Sequence, residues 1–161
     1  MAVSATDGDT SGVRLFPPAI AAVALAVGLL LGWAWPLPLA PEGMRHALRL
    51  GGLFLIGAWL TLAISAVVTF RRAGTTPNPT KPTTTLAFGG PYKITRNPMY
   101  LGFVLLVLGS GLVMNSIWLI LMAAPVVFLL RNAVILKEER YLERKFGAAY
   151  LEYKARVRRW I

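Results

Sequence analysis

The chain contains no cysteine, which excludes a disulfide, a thiolate nucleophile and a Cys-ligated metal, and leaves the redox compartment open. Histidine occurs once, as His46, and no metal-ligand pattern stands out, so no metal is expected. Acidic residues are scarce: 7 Asp and Glu face 17 Lys and Arg, a formal net charge of +10. Such a charge raises nucleic acid as a partner, yet no nucleic-acid-binding motif accompanies it. Its placement points elsewhere. Arg71, Arg72, Lys81, Lys93 and Arg96 share one loop that has no acidic residue, and eight more Lys and Arg fall between Lys137 and Arg159. Both groups flank apolar spans, which reads as positive-inside bias and attraction to anionic headgroups. The expected partner is the bilayer, not nucleic acid.

What is abundant is apolar: 56% of the 161 residues are hydrophobic and the mean hydropathy is +0.59. One all-α membrane domain over 1–161 follows. The first run, 17–35, opens with Pro17-Pro18 and is long enough to cross. A signal peptide is its rival, but Asp7 and Asp9 precede it and Pro38-Leu39-Ala40 is a poor cleavage site, so a retained anchor is expected. The second run, 47–70, is stopped by Arg71-Arg72. The third apolar stretch is too long for one crossing, and Asn115-Ser116 reads as the tip of a helical hairpin, giving spans 99–115 and 116–136. Four crossings put both termini, the 71–98 loop and the basic 137–161 tail on the cytoplasmic side of a multi-pass membrane protein, with a bacterial inner membrane as the expected location. His46 falls on the other side.

Loop 71–98 carries Pro77, Pro79 and Pro82, which disfavour helix; it is either a surface linker or a lid over a membrane-face cavity. In the tail, Leu142, Phe146, Tyr150, Tyr153, Val157 and Trp160 form one apolar stripe at steps of three and four. Gly147 is a point at which that stripe can split into two helices. An interfacial helix accounts for the pattern, with its Tyr and Trp as interface anchors in preference to ligand stackers.

The most informative stretch runs Gly89-Gly90-Pro91-Tyr92-Lys93-Ile94-Thr95-Arg96-Asn97-Pro98-Met99-Tyr100-Leu101-Gly102. A basic loop enters an apolar helix there, with Asn97 as the expected N-cap and Pro98 at the first helical position. The helix start beside Lys93 and Arg96 suits an anionic group. Further on, Arg131 and Glu138 are seven apart and share a helix face, as do Asn132 and Glu139. Either these are an interfacial helix start, or they face a cavity.

Taken in order, these motifs, with Phe146-Gly147 and Tyr150 to Val157 of the tail, resemble the isoprenylcysteine carboxyl methyltransferase family of integral membrane methyltransferases, over roughly 71–161. The resemblance implies S-adenosylmethionine bound by the C-terminal half and a lipophilic substrate arriving from the bilayer. It assigns Arg131 and Glu138 to catalysis. For the cofactor it implies Glu138 or Glu139 toward the amino group and Arg96, Lys93 or the Pro98 helix start toward the carboxylate. Tyr92, Ile94, Tyr100 and Leu101 would wall the adenine slot, and Gly102 would allow close approach. Many family members have His where this chain has Asn97, so an acid–base role there is not implied, although Asn97 still donates and accepts hydrogen bonds.

A carboxylate nucleophile is ionised at neutral pH and needs no base, whereas an ammonium must first lose a proton. With so few bases nearby, an oxygen nucleophile is the expected acceptor, although one of the glutamates could serve as a base. The alternatives are a phospholipid amine N-methyltransferase, an NADPH-dependent membrane reductase and a small transport or binding protein. Glu138 and Glu139 lie about 100° apart on a helix, so unequal roles are expected, with one turned to the cofactor.

Overall fold

The structure, a computed structural model, describes residues 11–13, 15–74 and 85–161. The stretch 75–84 and the acidic residues Asp7 and Asp9 lie outside the described residues. Among the described residues there are six α-helices: α1 Pro17–Ala34, α2 Arg45–Arg72, α3 Pro98–Val113, α4 Ile117–Leu129, α5 Leu136–Phe146 and α6 Ala148–Arg156. No strand occurs among the described residues. Among these residues, three helical stretches are long and apolar enough to cross a membrane, and α3 is a shorter apolar helix beside them. The fold is all-α and of membrane type.

Prolines set the starts. Pro17 and Pro98 sit in the first turns of α1 and α3, where a missing N–H costs nothing. α2, at 28 residues, is about 42 Å long at 1.5 Å per residue, more than a hydrocarbon core of about 30 Å requires. Its basic last turn, Arg71 and Arg72, therefore extends to the polar boundary.

The α3–α4 turn falls at Asn115, whose φ of 51° puts a non-glycine residue in the left-handed region. Tertiary contacts hold it there. Asn115 Nδ2 donates to the Ala40 carbonyl at 2.8 Å, and its Oδ1 accepts from the Ala40 N–H at 3.0 Å. The 37–40 segment following α1 is thereby pinned to the hairpin tip, and Trp118 adds an indole donation to the Trp35 carbonyl at 2.7 Å.

α3 is the central helix, packed by α2, α4 and α1. Lipid tails are as apolar as leucine, so helix association here depends on close approach more than on removing surface from water. Gly52 and Gly109 provide it: a Cβ on Gly52 would stand 2.6 Å from the Gly109 carbonyl oxygen. Val107, Leu119, Val126, Leu130, Val134 and Ile135 fill the centre. By contrast the outer side of α2 is open, with Phe54 75% exposed beside Leu50, Leu53 and Leu60. Such a face is stable against acyl chains and unstable in water.

α4 runs on without a break. A π-helical turn, Leu130–Ile135, carries it directly into α5. Such wider turns frequently accompany functional sites. Gly147, at φ 51°, then separates α5 from α6.

Candidate functional site

The cavity at the polar end of the bundle is assembled from loop, span and tail. Gly90 starts it. Its φ is 54° and a Cβ would stand 2.6 Å from Thr69 Oγ1, so only glycine fits the turn that follows. That turn, Gly90–Lys93, buries Tyr92, whose ring meets Phe70 edge-on at 5.3 Å. The Tyr153 hydroxyl donates to the Tyr92 carbonyl at 2.7 Å, tying α6 to the loop.

The C-terminal segment after α6 crosses the same loop. Arg96 N–H donates to the Arg158 carbonyl at 3.0 Å, and the Arg159 carbonyl accepts from Thr95 Oγ1 at 3.1 Å and from Asn97 Nδ2 at 2.9 Å. Asn97 therefore does not cap α3 with its side chain, contrary to its sequence pattern. The tail carbonyl competes for the amide and wins, because the fold brings residues 62 apart into register.

The two adjacent glutamates have separate partners. Glu139 is 5% exposed and receives a two-pronged pair from Arg159, Nε to Oε1 at 3.0 Å and Nη2 to Oε2 at 2.8 Å. Arg96 adds a contact at 3.3 Å. Glu138 instead accepts from the Tyr100 hydroxyl at 2.7 Å. Both glutamates border the cavity. They differ in freedom: one is clamped by two arginines, the other held by a single hydroxyl.

Glu138 lies beyond the apolar 117–136 portion of its helix. Burial pushes its carboxyl up to about 7; the Tyr100 hydrogen bond opposes this and the neighbouring Glu139 charge reinforces it. Burial also pushes the Tyr92 and Tyr150 hydroxyls well up, and Tyr153 to about 12. These hydroxyls therefore stay protonated hydrogen-bond donors at neutral pH.

Of the residues picked out in the sequence, the cavity gathers Tyr92, Arg96, Asn97, Tyr100, Glu138 and Glu139. Lys93 and Ile94 point outward and are exposed. Pro98 is buried at the helix start, and Gly102 faces Trp59 of α2; these two and Leu101 do not line the cavity. Arg131 is exposed and also lies off it. A seven-residue spacing presumes α-helical rotation throughout, and the π-helical turn between Arg131 and Glu138 breaks that relation.

Several cavity residues carried no clear signal. Phe70 lies in the last turn of α2, Leu86 and Phe88 precede the Gly-Gly turn, and Tyr150 and Tyr153 come from α6. The tail stripe singled out both tyrosines, as interface anchors. In the structure they are buried against the loop, with Phe88 and Tyr153 rings 4.7 Å apart.

The cavity thus offers an aromatic wall, a carboxyl near neutrality and a guanidinium. Arg96 has a side chain 8% exposed; its Nε and Nη1 form no well-aligned hydrogen bond among the described residues, although the Tyr150 hydroxyl lies beside the guanidinium. A zwitterionic amino-acid group beside a flat aromatic ring fits that donor set. Among the described residues, no cluster of three His, Cys, Asp or Glu is arranged to hold a metal ion.

Comparison with known proteins agrees in class. Residues 48–149 match the family described as phospholipid methyltransferase. A 63-residue stretch, 39% of this chain, is 36% identical to the full length of a Haemophilus influenzae protein described as an uncharacterized protein. No solved structure matches.

Proposed function

The chain belongs to the phospholipid methyltransferase family, and from that premise we propose that it transfers the methyl group of S-adenosylmethionine to a lipophilic acceptor held in the bilayer, with a carboxylate or other oxygen as nucleophile. It is a membrane methyltransferase; the donor, the acceptor and the residue roles are the proposal. The observation that carries it is the set of polar groups on one cavity: Arg96 with two nitrogens that form no well-aligned hydrogen bond, Glu138 on the same lining and the aromatic wall of Tyr92, Tyr150 and Tyr153. When bound, the cofactor supplies an electrophilic methyl on a sulfonium. Arg96 takes its carboxylate, Glu138 its ammonium, and the tyrosine rings flank the adenine. Tyr100 fixes Glu138 Oε1 and leaves Oε2 to the ligand. Asn97, joined to the tail, holds the loop that carries Arg96. Transfer neutralises charge, so alignment and exclusion of water by the aromatic residues can supply most of the acceleration.

A second reading, an amine acceptor, is favoured by one feature. The Glu138 carboxyl at about 7 is a base of suitable strength to take a proton from an ammonium before transfer; in this reading it faces the acceptor and not the cofactor's ammonium. Detergent-purified protein supplied with labelled S-adenosylmethionine and a lipid extract separates the cases. An oxygen acceptor of the carboxylate kind yields an ester that releases labelled methanol in alkali; an N-methyl product resists alkali. Absence of labelled lipid, together with no binding of S-adenosylhomocysteine, would refute both.

A further inference from the structure

Resting on that reading of the methyl donor, we infer that Arg159 is a positioning residue. By occupying the Glu139 carboxylate, it keeps the Arg96 guanidinium available to an anionic ligand group. Both Glu139 oxygens are engaged by the Arg159 fork, at 3.0 and 2.8 Å. Arg96 reaches the same carboxylate through Nη2 alone, at 3.3 Å, longer than the 2.7–2.9 Å usual for charge-assisted hydrogen bonds. Its Nε and Nη1 form no well-aligned hydrogen bond among the described residues, with only the Tyr150 hydroxyl beside the guanidinium, on a side chain more than nine-tenths buried at the cavity wall. Desolvated donors of this kind carry a penalty until an acceptor arrives. A carboxylate bound in the cavity would supply that acceptor.

The competition is geometric. One carboxylate can satisfy one guanidinium fork fully. Were Arg159 absent, Glu139 could turn both oxygens to Arg96, and the anion site would be neutralised from within. The backbone enforces the present division. Arg96 N–H on the Arg158 carbonyl, with Thr95 and Asn97 on the Arg159 carbonyl, sets the tail against the loop that carries Arg96. Arg159 lies outside the 48–149 stretch that matches the family.

The test is binding of two ligands to the full chain in detergent: S-adenosylhomocysteine, which carries the carboxylate, and 5′-methylthioadenosine, which lacks the amino-acid portion. Arg159→Ala should weaken S-adenosylhomocysteine roughly 10- to 150-fold, the range of a lost charge-assisted bond, with 5′-methylthioadenosine essentially unchanged. Adding Glu139→Gln to Arg159→Ala should restore much of the loss, because a neutral amide does not sequester Arg96. Arg159→Lys, which keeps the charge without the fork, should fall between, and it decides the matter if Arg159→Ala fails to fold. Equal weakening of both ligands, unchanged S-adenosylhomocysteine affinity, or no recovery in the double variant would overturn the inference. A wild-type chain that does not bind S-adenosylhomocysteine would overturn the functional reading, and this inference with it.

Discussion

Replacing Glu138 by Gln should make the ligand-free protein more stable at high pH while costing it cofactor. In the fold this carboxyl titrates at about 7, against an ordinary 4.5. An acid whose folded-state value is raised contributes its full stability below 4.5 and loses it as pH climbs through about 7. That displacement corresponds to at most about 3 kcal/mol at 1.36 kcal/mol per pH unit, and partial exposure of the side chain reduces it. The Glu138→Gln amide would keep an acceptor for the Tyr100 hydroxyl without the buried charge. The apparent melting temperature in detergent should therefore show the variant gaining on the wild type between pH 4.5 and 8, by several degrees. Cofactor binding runs the other way. An ammonium ligand selects the carboxylate, so wild-type affinity should weaken by up to about tenfold per pH unit below 7, and the variant should lose that dependence. Tyr100→Phe, which removes the bond favouring the ionised form, should move the wild-type transition to higher pH. A stability difference that does not vary from pH 5 to 8.5, or a variant that is less stable at pH 8, would refute the reasoning.

Gly52→Leu should disrupt the α2–α3 crossing, since even a Cβ would lie 2.6 Å from the Gly109 carbonyl. A cost of about 1–3 kcal/mol or more is expected, read as a lowered melting temperature in detergent, whereas Gly57→Leu, where nothing lies within 4 Å, should be silent. Asn115→Ala removes both bonds to Ala40 and keeps a left-handed residue, so a loss of about 2 kcal/mol is expected; Asn115→Gly relieves the backbone and should lose less. Cysteines introduced singly at Thr76, Gly43 and Ile161 of this cysteine-free chain should label from the cytoplasm at 76 and 161 and from outside at 43. Cytoplasmic labelling of position 43 would overturn the four-crossing arrangement.

Membrane class and all-helical character were legible because they rest on local chemistry. Apolar runs of bilayer length, Pro17 and Pro98 at helix starts, Arg71-Arg72 at an end and Asn115 at a turn each act within a few residues. The importance of the Tyr92-to-Tyr100 and Glu138-Glu139 stretches was equally visible, through motif resemblance. Which residues share the cavity was not. Arg131 and Glu138 obey an α-helical spacing that the π-helical turn Leu130–Ile135 cancels, and nothing local in the sequence marks that turn. Asn97 has the composition of a cap and serves as a bridge, because a carbonyl at Arg159 arrives from the far end of the chain.

The sequence alone therefore determined that this chain crosses a membrane as helices and where its polar, chemistry-bearing segments fall, since hydropathy and helix termini depend on near neighbours. Only the tertiary structure decided that Glu139 belongs to Arg159 and Arg96 while Glu138 belongs to Tyr100. That assignment depends on the rotation of one helix past another and on where the tail meets the loop. Both follow from packing between segments 20 to 60 residues apart.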